Sequence, residues 1–147
     1  MTELTRIGPY AVERRLGGGG MAEVFLANLV GVEGFSAPVA IKRVLPHFAD
    51  QPAFAAMFVS EAKLSARLRH PNIVTVLDFN RDEEHGLFLV MELVDGKDLA
   101  QLLATGSLPI SLAVYITTEV LRGLGHAHNP PRKGDGFRGI VHRDSSP

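Results

Sequence analysis

Four consecutive glycines, Gly17, Gly18, Gly19 and Gly20, interrupt a stretch of strand-like alternation near the start of the chain. A glycine-rich turn lets backbone N–H groups approach an anion closely, because no Cβ stands in the way. Gly17-Gly18-Gly19-Gly20-Met21-Ala22-Glu23-Val24 has that form, although the same run also suits a merely flexible hairpin tip. It is not a Walker A loop, since no Gly-Lys-Ser/Thr ends it, and it is a poor dinucleotide fingerprint, since a strand and not a helix comes next. Downstream, Val39-Ala40-Ile41-Lys42 reads as a strand whose period of two puts Ala40 and Lys42 on one face. Ala40 is small enough for a flat ring to lie against it, and Lys42 reaches phosphates beyond that ring. A strand lysine equally suits an exposed edge. A third element decides between these readings. Residues 52–68 carry helical spacing, with Phe54, Met57, Phe58, Leu64 and Leu68 forming an apolar stripe and Glu61 in its middle at about 100° per residue. A carboxylate centred on a buried face is costly unless it is paired. Lys42, on the strand just before this helix, is the predicted partner.

The elements that must position these groups follow from the pattern. Tyr10, Val12 and Leu16 alternate as in a half-buried strand, the glycines turn it, and Val24-Phe25-Leu26-Ala27 returns. Residues 28–38, with Gly31 and Gly34, read as a loop, and 39–44 as a third strand. Residues 73–79 and 87–93 read as two more strands, joined by a polar turn at 80–86. After Asp95-Gly96 the character becomes helical, with a short helix at 98–103 and a longer one at 111–128 that places Ala113, Ile116, Val120, Leu124 and Ala127 on one face. Residues 129–139 read as loop. The expected plan is five strands with one inserted helix, a linker near Glu92 to Gly96, and then helices.

Composition narrows the function classes. Of 147 residues, 46% are hydrophobic and 21% charged, a globular balance with enough chain for a sizeable core. The net charge of −1 leaves no electrostatic footprint for nucleic acid. The absence of cysteine excludes disulfides, thiolate metal sites and cysteine nucleophiles, and fits a reducing cytoplasm. No stretch approaches the roughly 18 uncharged apolar residues of a membrane helix, and no apolar signal core opens the chain. His126 and His128 are two apart, on different helix sides, and no carboxylate joins them at ligand spacing, so no metal site is expected. Arg122, Arg132, Lys133 and Arg138 read as solvated surface. The end at Asp144-Ser145-Ser146-Pro147, directly after the apolar Ile140-Val141, reads as a cut end.

The glycine-rich loop, the Val-Ala-Ile-Lys strand, a helix glutamate and a late His142-Arg143-Asp144 stand in the order of the protein-kinase signatures. From about residue 10 to residue 147 the chain resembles a protein kinase domain. Gly-Gly-Met-Ala-Glu-Val-Phe-Leu-Ala, together with His70-Pro71-Asn72-Ile73-Val74, is similar to bacterial Hanks-type serine/threonine kinases. The implied fold is α+β, with a five-stranded antiparallel N-lobe and helix C over residues 1–94. The start of a helical C-lobe occupies 95–147. The implied reaction is phosphoryl transfer from ATP, with Mg2+, to hydroxyls of a protein substrate in the cytoplasm. A longer parent chain carrying a membrane anchor further along is compatible with it.

By that resemblance Leu16, Gly17, Gly18, Gly19 and Gly20 meet the nucleotide, with Gly17, Gly19 and Ala22 at the three glycine places of the phosphate loop. Val24 and Ala40 cover adenine from above and Leu99 from below. Lys42 bridges the α- and β-phosphates and is held by Glu61. Met91 takes the gatekeeper place, Glu92 and Val94 offer backbone groups to the adenine edge, and Asp98 meets ribose or substrate. Val24, Ala40, Met91 and Leu99 also read as ordinary core. Asp144 takes the place of the catalytic-loop aspartate, which accepts the hydroxyl proton late in transfer. Arg143 braces that loop and His142 packs beneath it.

Two departures stand out. Ala22 replaces the third glycine, and Ser146 stands where the serine/threonine pattern has a lysine, which removes a cation near the transition state. The loop asparagine and the Asp-Phe-Gly magnesium ligand are expected beyond residue 147. The chain therefore reads as an incomplete kinase domain, inactive alone. A pseudokinase or regulatory ATP-binding scaffold is the alternative, and a truncated product exposing an apolar face is a third reading.

Overall fold

The computed structural model describes residues 4–129. The predicted roles of His142, Arg143, Asp144 and Ser146, and nearly all of the 129–139 loop, lie outside these residues. Two compact units separate: one holds Thr75–Val94 and the residues up to Arg67, the other holds Leu68–Val74 and the residues from Asp95 onward.

The first unit is built on an antiparallel sheet of six strands, β1 (Arg6–Ile7), β2 (Tyr10–Gly18), β3 (Ala22–Val30), β4 (Ser36–Val44), β5 (Val76–Asp82) and β6 (Gly86–Glu92). Their order is β1-β2-β3-β4-β6-β5. The two-residue β1 adds to the five strands expected; it folds back onto Tyr10 and Ala11 through Gly8, whose φ of 54° suits glycine. Residues 28–38, expected as a loop, are mostly strand. β3 and β4 stay paired out to Val30 opposite Ser36, and the two glycines serve one tight turn. There Gly31 N–H donates to the Phe35 carbonyl at 2.8 Å, and Glu33 and Gly34 take φ of 55° and 78°. β5 starts at Val76 and not at Ile73, which makes only an isolated bridge with His70.

Two helices accompany the sheet. α1 (Pro46–Ala49) is a single turn started by a proline and too short to register as periodicity. α2 (Pro52–Ser65) also begins with proline and is close to the predicted helix. Alternation along the strands separates two cores. Ile7, Tyr10, Phe25, Ala27, Val39, Ile41, Phe88 and Val90 pack on one side, and Val44, Leu87 and Leu89 pack with Phe58 and Ala62 of α2 on the other.

The second unit contains α3 (Leu99–Leu103) and α4 (Ile110–His128). Asp98 caps α3 reciprocally: its Oδ1 accepts the Gln101 N–H at 2.7 Å while its own N–H donates to Gln101 Oε1 at 3.2 Å. Leu68–Val74 lies against α4, where Asn72 Nδ2 donates to the Glu119 carbonyl at 2.9 Å and His70 stacks on His126 with ring centroids 5.1 Å apart. Gly123 permits this approach, since a Cβ there would meet the Asn72 carbonyl oxygen at 3.2 Å. No helix among the described residues is long and apolar enough to cross a membrane.

Candidate active site

The register of the central strands assembles most of the predicted groups on one sheet face. Val24 on β3 is directly opposite Lys42 on β4, and Lys42 is opposite Leu89 on β6. Two residues along, Leu26, Ala40 and Met91 form the adjacent row. Directly opposed residues share a face, so Val24, Ala40, Lys42 and Met91 are brought together by pairing alone. Ala40 is buried, and Val24 and Met91 are partly so.

Lys42 Nζ donates to Glu61 Oε1 of α2 at 2.9 Å, and the ammonium lies 5.8 Å from the centroid of the Phe58 ring. The predicted pair is therefore formed, but its burial was misjudged. The Glu61 side chain is 49% exposed and that of Lys42 30%. The reason is the phase of α2. The residues that meet the sheet are Ala55, Phe58, Val59 and Ala62, while Met57 and Leu64 are exposed. The large apolar side chains suggested one stripe, but the helix seats itself on its alanines, which allow closer approach. Glu61 falls on the flank of that contact. A half-exposed pair of this kind contributes about 0.2–1 kcal/mol to stability, far less than the buried pair that the sequence suggested.

The glycine-rich hairpin joins β2 to β3, with Gly17 opposite Val24, Gly18 opposite Glu23, and Gly19 N–H donating to the Ala22 carbonyl at 3.0 Å. Leu16 sits at a register shift between Arg15 and Gly17, a bulge that releases it from the β2 alternation. A Cβ at Gly17, Gly19 or Gly20 would meet nothing within 4 Å, and none of the four glycines has a positive φ. The fold itself thus does not demand glycine at those three positions. Gly18 differs: a Cβ there would lie 2.8 Å from Arg15 Nη2 and 3.0 Å from the Ala22 oxygen.

At the end of β6, the Glu92 N–H donates to the Thr75 carbonyl at 3.0 Å and the Glu92 carboxylate accepts the Thr75 N–H at 2.6 Å. This hydrogen bonding from Thr75 holds the Glu92 carboxyl below the usual carboxylate range. The clamp was not legible in sequence, where Glu92 was assigned only a backbone role. Val94 ends the first unit and is exposed. Asp98 and Leu99 belong to the second unit, where Asp98 is a helix cap. Also missed was an Arg15–Glu23–Arg43 cluster on the opposite sheet face, for which direct cross-strand opposition of Glu23 and Arg43 would have been the signal.

The chain is similar to known proteins in both sequence and fold. Residues 10–146 match the family model described as Protein kinase domain. The tyrosine-protein kinase MasK of Myxococcus xanthus is 39% identical over 145 residues, covering 95% of this chain and 22% of MasK. The serine/threonine-protein kinase pkn3 of Myxococcus xanthus is 37% identical over 140 residues, covering 94% of this chain and 23% of that kinase. The crystal structure of the Mycobacterium tuberculosis PknI kinase domain aligns at a TM-score of 0.73 and 32% identity, covering 97% of this chain and 54% of that domain. The chain thus spans under a quarter of the length of these two curated relatives and about half of a solved kinase domain. The curled antiparallel sheet, its flanking helix and the family match agree, and the chain belongs to the protein kinase domain family.

Proposed function

We propose that this chain is the ATP-binding part of a protein kinase that transfers the γ-phosphoryl group of ATP to serine or threonine hydroxyls of a protein substrate in the cytoplasm. The observation that carries the reading is the Lys42–Glu61 pair at 2.9 Å, on the sheet face that also bears Val24 and Ala40. Glu61 fixes the ammonium of a side chain that otherwise has many rotamers, so that Lys42 meets the α- and β-phosphates as an oriented charge. The open space over Gly17, Gly19 and Gly20 suits close approach of phosphate oxygens to backbone N–H groups, which fits a triphosphate.

Val24 and Ala40 supply a surface for adenine, while Leu16 borders the nucleotide beside the glycines. Met91 limits the depth of the site. Because the Glu92 N–H is already bonded to Thr75, Glu92 offers adenine only its carbonyl, and Val94 offers the complementary backbone N–H. Asp98 retains one carboxylate oxygen beyond its cap contact for ribose or substrate. Asp144 accepts the proton of the attacking hydroxyl. Magnesium, which the family generally uses with ATP, neutralises charge that develops on the phosphates.

The test is thermal denaturation with and without magnesium-ATP. At a ligand concentration 100 times Kd the stabilisation is about 2.7 kcal/mol, a rise of roughly 10 °C at about 4 °C per kcal/mol. Lys42→Ala abolishes it. No rise in the wild-type chain refutes nucleotide binding. Phosphoamino-acid analysis of a transfer reaction, run on a longer chain that also carries the loop asparagine and the magnesium ligand, then decides between serine/threonine and tyrosine, a choice that the two Myxococcus relatives leave open by their names. Ser146 in place of the usual lysine favours a second reading, a regulatory ATP-binding scaffold. In that case ATP raises the melting temperature, and the longer chain shows no phosphoryl transfer either.

A further inference from the structure

On the sheet face opposite Lys42, Glu23 stands between two arginines. Its Oε2 lies 3.1 Å from Arg43 Nη2 and its Oε1 lies 3.4 Å from Arg15 Nε. Arg15 is on β2, Glu23 on β3 and Arg43 on β4, so one carboxylate ties three successive strands. Glu23 and Arg43 are directly opposed and mostly buried, at 18% and 13% side-chain exposure. Arg43 also lies over the Phe25 ring at 5.6 Å, and its buried Nε has no hydrogen-bond partner among the described residues. A desolvated guanidinium with an unsatisfied donor is a poor route to stability, and an apolar pair of similar size would serve the sheet at least as well.

What distinguishes this cluster is its place. Glu23 is the residue that pairs with Gly18, and the Arg15 guanidinium occupies the space that a Gly18 side chain would need. Glu23 also immediately precedes Val24, which alternation turns to the Lys42 face. The two faces of β3 thus connect the ion cluster to the Lys42 face through adjacent residues, and the Glu23–Gly18 pairing connects it to the hairpin.

We propose that Glu23 is a positioning residue: with Arg15 and Arg43 it clips the glycine-rich hairpin to β4, the strand that carries Lys42, and so sets the height of the loop over the triphosphate. This role rests on the ATP-binding reading above. It also explains why Gly18 is glycine for a different reason from its neighbours, since Gly18 makes room for the clip and the other three leave room for the ligand.

The experiment compares wild type, Glu23→Gln and a control, Ile7→Val, which trims the buried core away from the loop. Magnesium-ATP affinity is measured by calorimetric titration of the whole chain, and the exchange rate of the Gly19 amide is measured without nucleotide. Glu23→Gln weakens ATP binding roughly tenfold, the scale of one lost hydrogen bond to a charged group, and speeds Gly19 exchange, while Ile7→Val changes neither. If Glu23→Gln binds ATP as wild type does, the positioning role is overturned and the ATP reading stands. If wild type binds no ATP, both are overturned, and faster Gly19 exchange in Glu23→Gln then marks a purely structural clip.

Discussion

The seating of α2 on its alanines makes a sharp prediction. Ala62 is buried at 2% exposure among Val44, Phe58, Leu87 and Leu89. Ala62→Leu adds about three carbons to a packed contact, at a cost of about 1–3 kcal/mol. At roughly 4 °C per kcal/mol this lowers the melting temperature by about 4–12 °C. The strain is relieved by α2 moving off the sheet, and a displacement of about 1 Å takes the 2.9 Å Lys42–Glu61 contact beyond hydrogen-bond range. Ala62→Leu therefore loses the ATP-induced rise in melting temperature as well. Glu61→Gln also weakens that rise, but lowers the melting temperature itself by no more than about 4 °C, because the exposed pair contributes at most about 1 kcal/mol. Met57→Ala, at an exposed position, stays within about 0.5 kcal/mol of wild type. Thermal scans of the four proteins with and without magnesium-ATP decide the matter. If Met57→Ala proves more damaging than Ala62→Leu, the helix is rotated toward the Phe54–Met57–Leu64 stripe, Glu61 is a buried acid, and the packing argument is wrong.

Two further outcomes follow from local geometry. Gly123 and Gly125 both lie within α4, where Gly→Ala ordinarily stabilises by about 0.5–1 kcal/mol. A Cβ at Gly125 meets nothing within 4 Å, so Gly125→Ala raises the denaturation midpoint; at Gly123 it meets the Asn72 carbonyl oxygen at 3.2 Å, so Gly123→Ala lowers it. Acid stability carries the signature of Asp82. Burial raises its carboxyl, but the His85 and Glu84 N–H groups and the His85 side chain outweigh this and hold it below its ordinary value. A folded-state value below the unfolded one stabilises the protein above the ordinary carboxylate range, and that stabilisation is lost as pH falls through the folded value. The melting temperature of wild type therefore drops more steeply below about pH 4 than that of Asp82→Asn; parallel curves contradict the assignment.

The strands and long helices were legible because burial imposes a period, and the Lys42–Glu61 pair because a cation and an acid stood in adjacent elements. What escaped the sequence was set by things that periodicity does not encode. Ala55 and Ala62 look indifferent in a hydrophobicity pattern, yet small size is what brings α2 onto the sheet. Gly31 and Gly34 suggested a long loop, but two glycines suffice for one tight turn, and β3 and β4 run on to it. The Glu92 clamp on Thr75 and the Arg15–Glu23–Arg43 cluster depend on strand order and register, which no local pattern contains.

Register also divides the work within the sheet. β3 and β4 pair without a break from Ala22 opposite Val44 to Val30 opposite Ser36. That ladder is the stiff platform, and a one-residue slip in it would exchange Lys42 for Arg43 on the Glu61 face. β2, by contrast, shifts register twice against β3, between Val12 and Arg14 and again between Arg15 and Gly17. Each bulge breaks the ladder and frees the strand to bend. The glycine hairpin is thus carried on one side by the longest unbroken pairing in the sheet and on the other by its most irregular one. On the proposed ATP-binding reading, a loop that closes over a nucleotide needs such a compliant side, but a compliant side alone leaves its height undefined. Glu23 sits on the stiff strand and reaches Arg15 on the irregular one, at the near edge of the second bulge and just before the glycines. There one carboxylate joins the irregular strand to the platform that carries Lys42.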